Sequence, residues 1–514
     1  MESASLTPPA PVALDGSEPF DKGLKTGAIG YLSNLVIAVA STAPAYSMAA
    51  TLGFVMLVSG MGLQAPAIIL IAFVPMLFIS MGYKYLNQAN PDCGTTFTWV
   101  GKAFGPQAGW MGGWGIITSD VLVMASLAQI AALYTFHLWY SSPSPSSIGV
   151  LAIGVAWIVV MTWICWVGIE LSARIQQILL TIEVITLTVF AIVALIDVYG
   201  GSAGVHAIEP TASWFNPFDI SSVSTLGTGV LVGIFIYWGW DSGVSVNEES
   251  ENASHGPGKA AVLSTLLLLL IYLMVTTASQ AYAGPGALGT NASDIFAFLG
   301  PKVFPKPVSL LLIITVLTSA SASTQTTILP TARTSLSMAR WGGIPRIFGR
   351  VHPKHQTPDV STIVFGVIST IWFVVIDILS PNNVLGDSVD AVGFMVCLYY
   401  GLTGFACTWY FRRELFKSAR NFFFVGVAPL LGGLSLFAVF IIGMSYYGHQ
   451  ANNYSKDILG LGLPDVIAIG LIIIGLVLGL IFHSTLPGFY SRKPEVAKPG
   501  VLEEPPEVAT SPIM

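Results

Sequence analysis

Charged residues are scarce in this sequence. Asp, Glu, Lys and Arg together make up 9% of the 514 residues, whereas hydrophobic residues make up 54%. An average soluble domain carries about 25% charged residues, so an ordinary soluble protein is excluded. Apolar runs of about 20 residues recur along the chain, and each is long enough to cross a bilayer as a helix. We therefore predict an all-α integral membrane protein.

Cysteine and the common catalytic motifs are also missing or rare. The four cysteines form no CxxC pair, which argues against a disulfide framework and against a thiolate metal site. The sequence has no GxxxxGK[ST] phosphate loop, so an ATP-driven pump would need a separate subunit. HExxH and GxSxG are absent as well. We predict no enzymatic activity, no cofactor, no metal and no nucleic-acid partner.

The apolar runs divide the chain into twelve predicted transmembrane helices. Residues 1–28 and 487–514 are polar and are predicted to be disordered tails, 29–411 to be a transport core of ten helices, and 412–486 to hold the last two. The twelve predicted spans are 31–58, 64–86, 107–139, 147–167, 174–198, 226–249, 259–282, 307–339, 360–379, 388–411, 422–447 and 464–486.

The distribution of positive charge predicts the orientation. If the N-terminus is cytoplasmic, 18 of the 21 Lys and Arg residues fall on the cytoplasmic side of these spans. Cytoplasmic loops of membrane proteins carry an excess of Lys and Arg. We therefore expect a multi-pass protein of the cell membrane with both termini in the cytoplasm.

Two of the predicted spans are interrupted near their middle. The first contains LVIAVASTAPAYSMAA (35–50), with a proline among small polar residues, and the sixth contains VLVGIFIYWGWDSGVSV (230–246). Irregular backbone at membrane depth is tolerated only where it is buried in protein or lines a water-filled cavity. Because the breaks are five spans apart, units of spans 1–5 and 6–10 would have opposite topology, as in an inverted repeat. We predict a substrate pathway between the two breaks.

Among the acidic residues inside predicted spans, three are candidates for function: Asp120 in the third, Glu183 in the fifth and Asp241 in the sixth. A carboxylate at the centre of a bilayer costs about 2.5–3.5 kcal/mol on insertion scales, and such residues usually mark substrate or ion pathways. Asp120 and Asp241 are candidates to meet a cationic group of a substrate, and Glu183 is a candidate proton carrier. For each, the alternative is a structural hydrogen bond to a neighbouring helix.

The eighth span is rich in hydroxyl groups over residues 318–327. Small residues of this kind permit close helix packing. Alternatively, hydroxyls such as those of Ser323 and Thr324 could face the break in the first span and bind sodium through oxygen.

Three segments resemble the amino acid permease branch of the amino acid–polyamine–organocation permease superfamily. They are PDCGTTFTWVGKAFGPQAGWMGGW (91–114), FIYWGWDSGVSVNEESEN (235–252) and PTARTSLSMARWGGIPRIFGRVHPKHQTPDVS (330–361). The resemblance implies a LeuT-like fold with a five-plus-five inverted repeat, in which helices 1 and 6 are discontinuous around a central site.

The resemblance also implies roles for single residues. Amides at Ser41, Thr42 and Ala43 would hold a substrate carboxylate, and Glu183 falls where several relatives carry a lysine that links helix 5 to the break in helix 1. Phe235 would be a gate over the substrate. The predicted substrate-binding residues are Ser41, Thr42, Ala43, Tyr46, Asp120, Phe235, Ile236, Trp238 and Asp241. The predicted ion-coupling residues are Glu183, Asp241, Ser323 and Thr324.

These observations predict a secondary active transporter that imports amino acids by proton symport through alternating access. The first break reads Ser-Thr-Ala-Pro where the family usually has Gly-Ser-Gly or Gly-Thr-Gly. A polyamine or other organic amine without a carboxylate is therefore an alternative substrate. Sodium coupling and exchange are alternative modes. The expected partners are the small-molecule substrate, the coupling ion and the lipid bilayer.

Overall fold

A computed structural model describes residues 21–140, 146–380 and 383–449, and all of 450–502 except 450, 451, 453, 454, 456, 457 and 459. The described part is all-α, as predicted, and contains no named strand. Its α-helices in chain order are α1 Tyr31–Ser41, α2 Pro44–Ala50, α3 Leu52–Leu57, α4 Ala65–Ala89, α5 Thr96–Phe104, α6 Pro106–His137, α7 Ser147–Val167, α8 Ile169–Tyr199, α9 Val223–Tyr237, α10 Ser242–Ser245, α11 Gly256–Thr290, α12 Ile295–Val303, α13 Ser309–Arg340, α14 Asp359–Leu379, α15 Val384–Tyr410, α16 Ala419–Asn421, α17 Ala428–Tyr447, α18 Leu463–Thr485 and α19 Pro487–Tyr490.

Eleven helical segments within the described residues are long and apolar enough to cross a membrane. Each overlaps one of the predicted spans. The remaining predicted span, the sixth, corresponds to the 15-residue apolar helix α9 and the four-residue helix α10 that follows it. The count of twelve crossings and the inverted repeat stay predictions.

The first predicted span is broken at the proline. Helix α1 ends at Ser41 and α2 begins at Pro44, while Ala43 between them has φ 47° and ψ 67°, in the left-handed region. Proline has no backbone N–H and its ring disfavours a helical conformation of the residue before it. Proline therefore favours a break at this point, and with Ala43 in the left-handed region α1 ends and a new helix starts at Pro44.

The sixth predicted span is broken at its Gly and aromatic residues. Helix α9 ends at Tyr237, Trp238 is extended, Gly239 has φ +119°, and α10 starts at Ser242. The two breaks touch each other. A Cβ atom added at Gly239 would lie 2.7 Å from the carbonyl oxygen of Ser41, so a residue without a side chain is needed where the breaks meet.

A buried ion pair joins α13 to the turn after α10. Arg333 Nε lies 2.5 Å from Glu249 Oε2, and Nη2 donates to Oε1 at 2.8 Å. Both side chains are almost fully buried, and the turn Asn247–Glu249 directly follows the second break. This bidentate pair therefore fixes the position of the broken segment against α13.

Removal of the Glu249 carboxylate is expected to destabilise the protein strongly. Glu249→Ala leaves the Arg333 guanidinium buried without its partner, which typically costs about 3–5 kcal/mol. The double variant Glu249→Met with Arg333→Met should recover most of this loss, since no charge is then left unpaired. Thermal unfolding of the purified protein measures both. Glu170→Ala is the control, because the Glu170–Lys25 pair is half exposed, and it should not change the unfolding temperature measurably.

The described parts of the two polar ends contact the helices. Residues 21–28 belong to the segment predicted as a disordered tail, yet Lys22 and Leu24 are buried, and Ile29 N donates to Glu249 O at 3.1 Å. Near the other end, Tyr490 is buried and Ala497 N donates to Tyr410 O at 3.0 Å. Residues 1–20 and 503–514 of the two predicted tails lie outside the described residues.

Candidate substrate site

A small cavity lies where the two helix breaks meet. Its volume is about 10 Å³, which is room for about one water molecule. Both breaks and two other helices contribute to its walls, so the structure is closed around this point. The lining residues are Ser41, Thr42, Ala43, Tyr46, Ser47, Val123, Leu127, Phe235, Trp238 and Ser323.

Most of the residues predicted from the two breaks line this cavity. The predicted residues in its wall are Ser41, Thr42, Ala43, Tyr46, Phe235, Trp238 and Ser323. Their roles in binding stay predictions. Ile236, although fully buried, is not part of the wall.

Three lining residues were not predicted: Ser47, Val123 and Leu127. Ser47 is one turn beyond Ala43 and could have been found from the break motif itself. Val123 and Leu127 are four residues apart on α6 and therefore share one helix face. Both are ordinary aliphatic residues in an apolar span, so nothing in the sequence separates them from residues that only pack.

The backbone amides at the first break already have acceptors within the protein. Thr42 N and Ala43 N donate to carbonyl oxygens one turn earlier in α1, at 3.2 and 3.1 Å. Pro44 has no N–H. Ala45 N donates to Glu183 Oε1 at 2.6 Å, and Tyr46 N lies 3.2 Å from Ser319 Oγ. Each amide from 42 to 46 is therefore occupied in this conformation.

The side chain of Glu183, which belongs to α8, reaches the N-terminus of α2. It is buried, and Ser319 Oγ donates to the same oxygen, Oε1, at 2.7 Å. A carboxylate at a helix N-terminus satisfies an amide that has no partner within the helix and faces the positive end of the helix dipole. Glu183 of α8 therefore connects α2 and α13 at the break.

The C-terminal ends of α1 and α9 have the opposite polarity to the N-terminus of α2. Both helices end beside the cavity, at Ser41 and Tyr237, and the last carbonyls of a helix have no partners within it. These ends carry partial negative charge. At the first break Ser41 O accepts a hydrogen bond from Ser323 Oγ at 2.8 Å, and Thr42 O accepts one from Tyr272 Oη at 3.3 Å. Two negative helix ends therefore meet at the cavity, which favours a cation.

Asp241 stands behind the cavity rather than in its wall. Its two carboxylate oxygens accept hydrogen bonds from Tyr399 Oη at 3.0 Å and Tyr400 Oη at 2.9 Å. Trp238 Nε1 also donates to Tyr399 Oη. Asp241 is thus linked to the cavity wall through Tyr399 and Trp238, and it does not line the cavity itself.

Two other predicted residues lie outside the cavity wall. Asp120 is buried and accepts a hydrogen bond from Thr331 Oγ1 at 2.7 Å, between α6 and α13. Thr324 Oγ1 donates to Ala320 O of its own helix at 2.9 Å. Neither Asp120 nor Thr324 therefore lines the cavity, although Asp120 lies near enough to Asp241 of the second break for the two carboxyl groups to interact electrostatically.

Helices that can cross a membrane, arranged around a cavity between two helix breaks, are typical of a membrane transport protein. The chain belongs to the amino acid permease family, which matches residues 29–463. This confirms the resemblance carried by the three sequence motifs. The chain is thus a multi-pass membrane transporter of amino acids or amines, and not an enzyme.

Three relatives cover a large part of the chain. The low-affinity putrescine importer PlaP of Escherichia coli (strain K12) is 23% identical over 386 residues, which are 74% of this chain and 80% of the relative. The arginine/ornithine antiporter of Latilactobacillus sakei is 25% identical over 438 residues, 80% of this chain and 90% of the relative. The large neutral amino acids transporter small subunit 2 of Homo sapiens is 23% identical over 330 residues, 62% of this chain and 58% of the relative.

Proposed function

We propose that this protein is a secondary active transporter that carries an organic amine through the cavity between the helix breaks by alternating access. The observation that carries the proposal is the electrostatics of the breaks. Two helix C-termini meet at the cavity, while Glu183 occupies the positive end of α2. A primary ammonium group matches this site, because a carbonyl oxygen that already accepts one hydrogen bond has a second lone pair for the ammonium, whereas an amide has only one N–H to donate.

The absence of a free amide at the first break favours an amine without a carboxylate. A substrate carboxylate would need donors, and the amides from 42 to 46 donate to Glu183, Ser319 and carbonyls of α1. The E. coli relative is named as an importer of putrescine, an amine without a carboxylate, which agrees with this assignment.

An amino acid is the second candidate substrate. The family match and two of the relatives, the arginine/ornithine antiporter and the large neutral amino acid transporter, favour it. An amino acid could bind if Ser41, Ser47 or Ser323 supplied hydroxyl donors to its carboxylate when the cavity opens. Each of these side chains lines the cavity.

We propose that the coupling ion is a proton carried by Glu183. The carboxyl is buried at the break, and both described donors, Ala45 N and Ser319 Oγ, bind Oε1. Oε2 is therefore available for a proton while Oε1 keeps its contacts. Sodium is the less favoured ion, because only one of the two predicted hydroxyl ligands, Ser323, lines the cavity, whereas Thr324 does not. Exchange of substrates is an alternative transport mode, because one relative is named as an arginine/ornithine antiporter.

In this cycle the substrate enters from the outside, Phe235 closes over it, and Glu183 changes its protonation state. The segments α1–α2 and α9–α10 then move against the rest of the protein, and substrate leaves on the cytoplasmic side. The proposal includes a cell-membrane location and twelve crossings with cytoplasmic termini, which are supported by the Lys and Arg distribution. It also includes an inverted repeat, which is supported by the positions of the two breaks.

Competition between substrates tests the assignment. In proteoliposomes containing the full chain and an imposed proton gradient, labelled putrescine should accumulate. Unlabelled cadaverine and spermidine should reduce that accumulation, whereas alanine and leucine should not. If alanine or leucine accumulates instead and amines do not compete, the substrate is an amino acid and the amine assignment is wrong.

The same proteoliposomes test the coupling ion. A sodium gradient alone should drive no uptake, and uptake driven by sodium would contradict the assignment of the proton as the coupling ion.

A further inference from the structure

A second cluster of ionisable groups lies away from the cavity, where the N-terminal segment 21–30 meets the turn after α10. Ligand atoms of Asp92, Cys93 and Glu248 lie within 4.8 Å of one another. The ammonium group of Lys22 lies 3.0 Å from Asp92 Oδ2 and also donates to Glu248 Oε1. Lys22 is only 2% exposed, although it precedes the first helix. A buried lysine therefore bridges two carboxylates from distant parts of the chain.

The two carboxylates are held in place by the surrounding protein. Asp92 Oδ1 accepts hydrogen bonds from Gly94 N at 2.7 Å and Ser337 Oγ at 2.7 Å, and Oδ2 accepts one from Trp341 Nε1 at 3.0 Å. Cys93 N donates to Glu248 Oε1 at 2.8 Å. These donors favour the charged form of each carboxylate and oppose the effect of burial, which raises the pKa of Glu248.

An ammonium group suits this cluster better than a metal ion. Asp92 already uses both oxygens for hydrogen bonds, and Cys93 Sγ lies 3.5 Å from Arg333 O, which is a thiol donor contact rather than a free thiolate. Lys22 stands between the carboxylates. Although its burial disfavours the charge, Asp92 and Glu248 raise the pKa of Lys22 above its ordinary value.

The cluster joins parts of the protein that the proposed cycle separates. Glu248 follows the broken segment α9–α10, whereas Ser337, which binds Asp92, is on α13. Ser323 of α13 lines the cavity, and Ser337 is 14 residues further along the helix, about 21 Å away at 1.5 Å per residue. The N-terminal segment is also attached on both sides: Glu251 N donates to Ile29 O at 3.0 Å, and Arg340 Nη2 donates to Lys22 O at 3.2 Å.

We propose that Asp92 and Glu248 form a binding site for a primary ammonium group, filled here by Lys22, and that its occupation keeps this end of the protein closed. The N-terminal segment is thus a plug, and release of Lys22 accompanies opening of the path from the cavity to this end. The inference rests on the proposed alternating-access function.

Cys93 provides a reporter for the test. It is fully buried beside the ion cluster, so its reaction with methyl methanethiosulfonate should be slow while the plug is closed. The other cysteines, Cys165, Cys397 and Cys407, are replaced by alanine in the full-length protein. Lys22→Ala should then react at least about tenfold faster, because the local opening is no longer opposed by the ion cluster.

The control is Lys25→Ala in the same segment. Lys25 pairs with Glu170 at 2.6 Å, and both side chains are about half exposed, so its loss should leave the rate unchanged. Lys22→Arg keeps the charge and should remain close to the parent rate. If Lys22→Ala reacts no faster than Lys25→Ala, or if Lys22→Arg reacts as fast as Lys22→Ala, the plug does not exist as proposed.

Chemical rescue tests the ammonium site itself. The side chain of Lys22 is an n-butylammonium group, so n-butylammonium chloride should slow the labelling of Lys22→Ala back toward the parent rate. Tetramethylammonium chloride cannot donate a hydrogen bond and should have no effect. Rescue that fails, or that also occurs with tetramethylammonium, overturns the site. The parent protein should not respond to either salt, and labelling needs no transport, so a wrong substrate assignment would leave these results unchanged.

Discussion

Glu183→Gln is expected to abolish accumulation of substrate against its gradient while leaving exchange of substrate across the membrane intact. The glutamine side chain keeps an oxygen that can accept from Ala45 N and Ser319 Oγ, which now donate to the Glu183 carboxylate. It cannot gain or lose a proton at neutral pH. The start of α2 should therefore remain supported, and only the link between the proton gradient and the cycle is lost.

The measurement compares two assays on the same proteoliposomes. Uptake driven by an imposed proton gradient should fall to the level found without a gradient, whereas exchange of labelled for unlabelled substrate should continue. Asp120→Asn is the matched control. It neutralises another buried acid, but one that binds Thr331 and does not line the cavity, so it should keep gradient-driven uptake. Accumulation that survives in Glu183→Gln would mean that another group carries the proton.

The two helix breaks could be predicted from sequence because their causes are local. Pro44 removes a backbone donor and disfavours a helical conformation of the residue before it, and a Gly-rich stretch with an acid is unsuited to lipid contact. Residues that follow directly from those motifs, such as Ser41 and Phe235, line the cavity. The family could also be predicted, since its motifs are short and continuous in the chain.

The partners of the charged groups could not be predicted in the same way. Asp241 binds tyrosines 158 and 159 residues later in the chain, and Lys22 binds an acid 226 residues away. Such pairs depend on how the helices pack, and the pattern of a single sequence does not show which helices become neighbours. The polar composition around Lys22 predicted a disordered tail. Composition cannot show that this lysine meets one buried and one partly buried carboxylate.

Gly239→Ala is expected to reduce transport at least about tenfold, because the two breaks can no longer touch. The added Cβ atom would lie 2.7 Å from Ser41 O, 2.8 Å from Ser41 C and 3.0 Å from Thr42 N. All three are backbone atoms, which cannot rotate away as a side chain would. Overpacking of this kind costs about 1–3 kcal/mol, and every 1.4 kcal/mol is a factor of about ten. The φ of +119° at Gly239 adds strain for any other residue.

Gly286→Ala is the control for Gly239→Ala, because it adds the same methyl group at a glycine away from the two breaks. Gly286 is in α11, and a Cβ atom added there would meet no atom within 4 Å beyond its chain neighbours and the nearby backbone of its own helix. This variant should transport like the parent protein. Initial uptake rates, normalised to purified protein that elutes as a single species, give the comparison, and thermal unfolding shows whether Gly239→Ala still folds. A folded Gly239→Ala protein with full transport would mean that the breaks need not approach this closely during the cycle, and the shared cavity would lose its role as the substrate site.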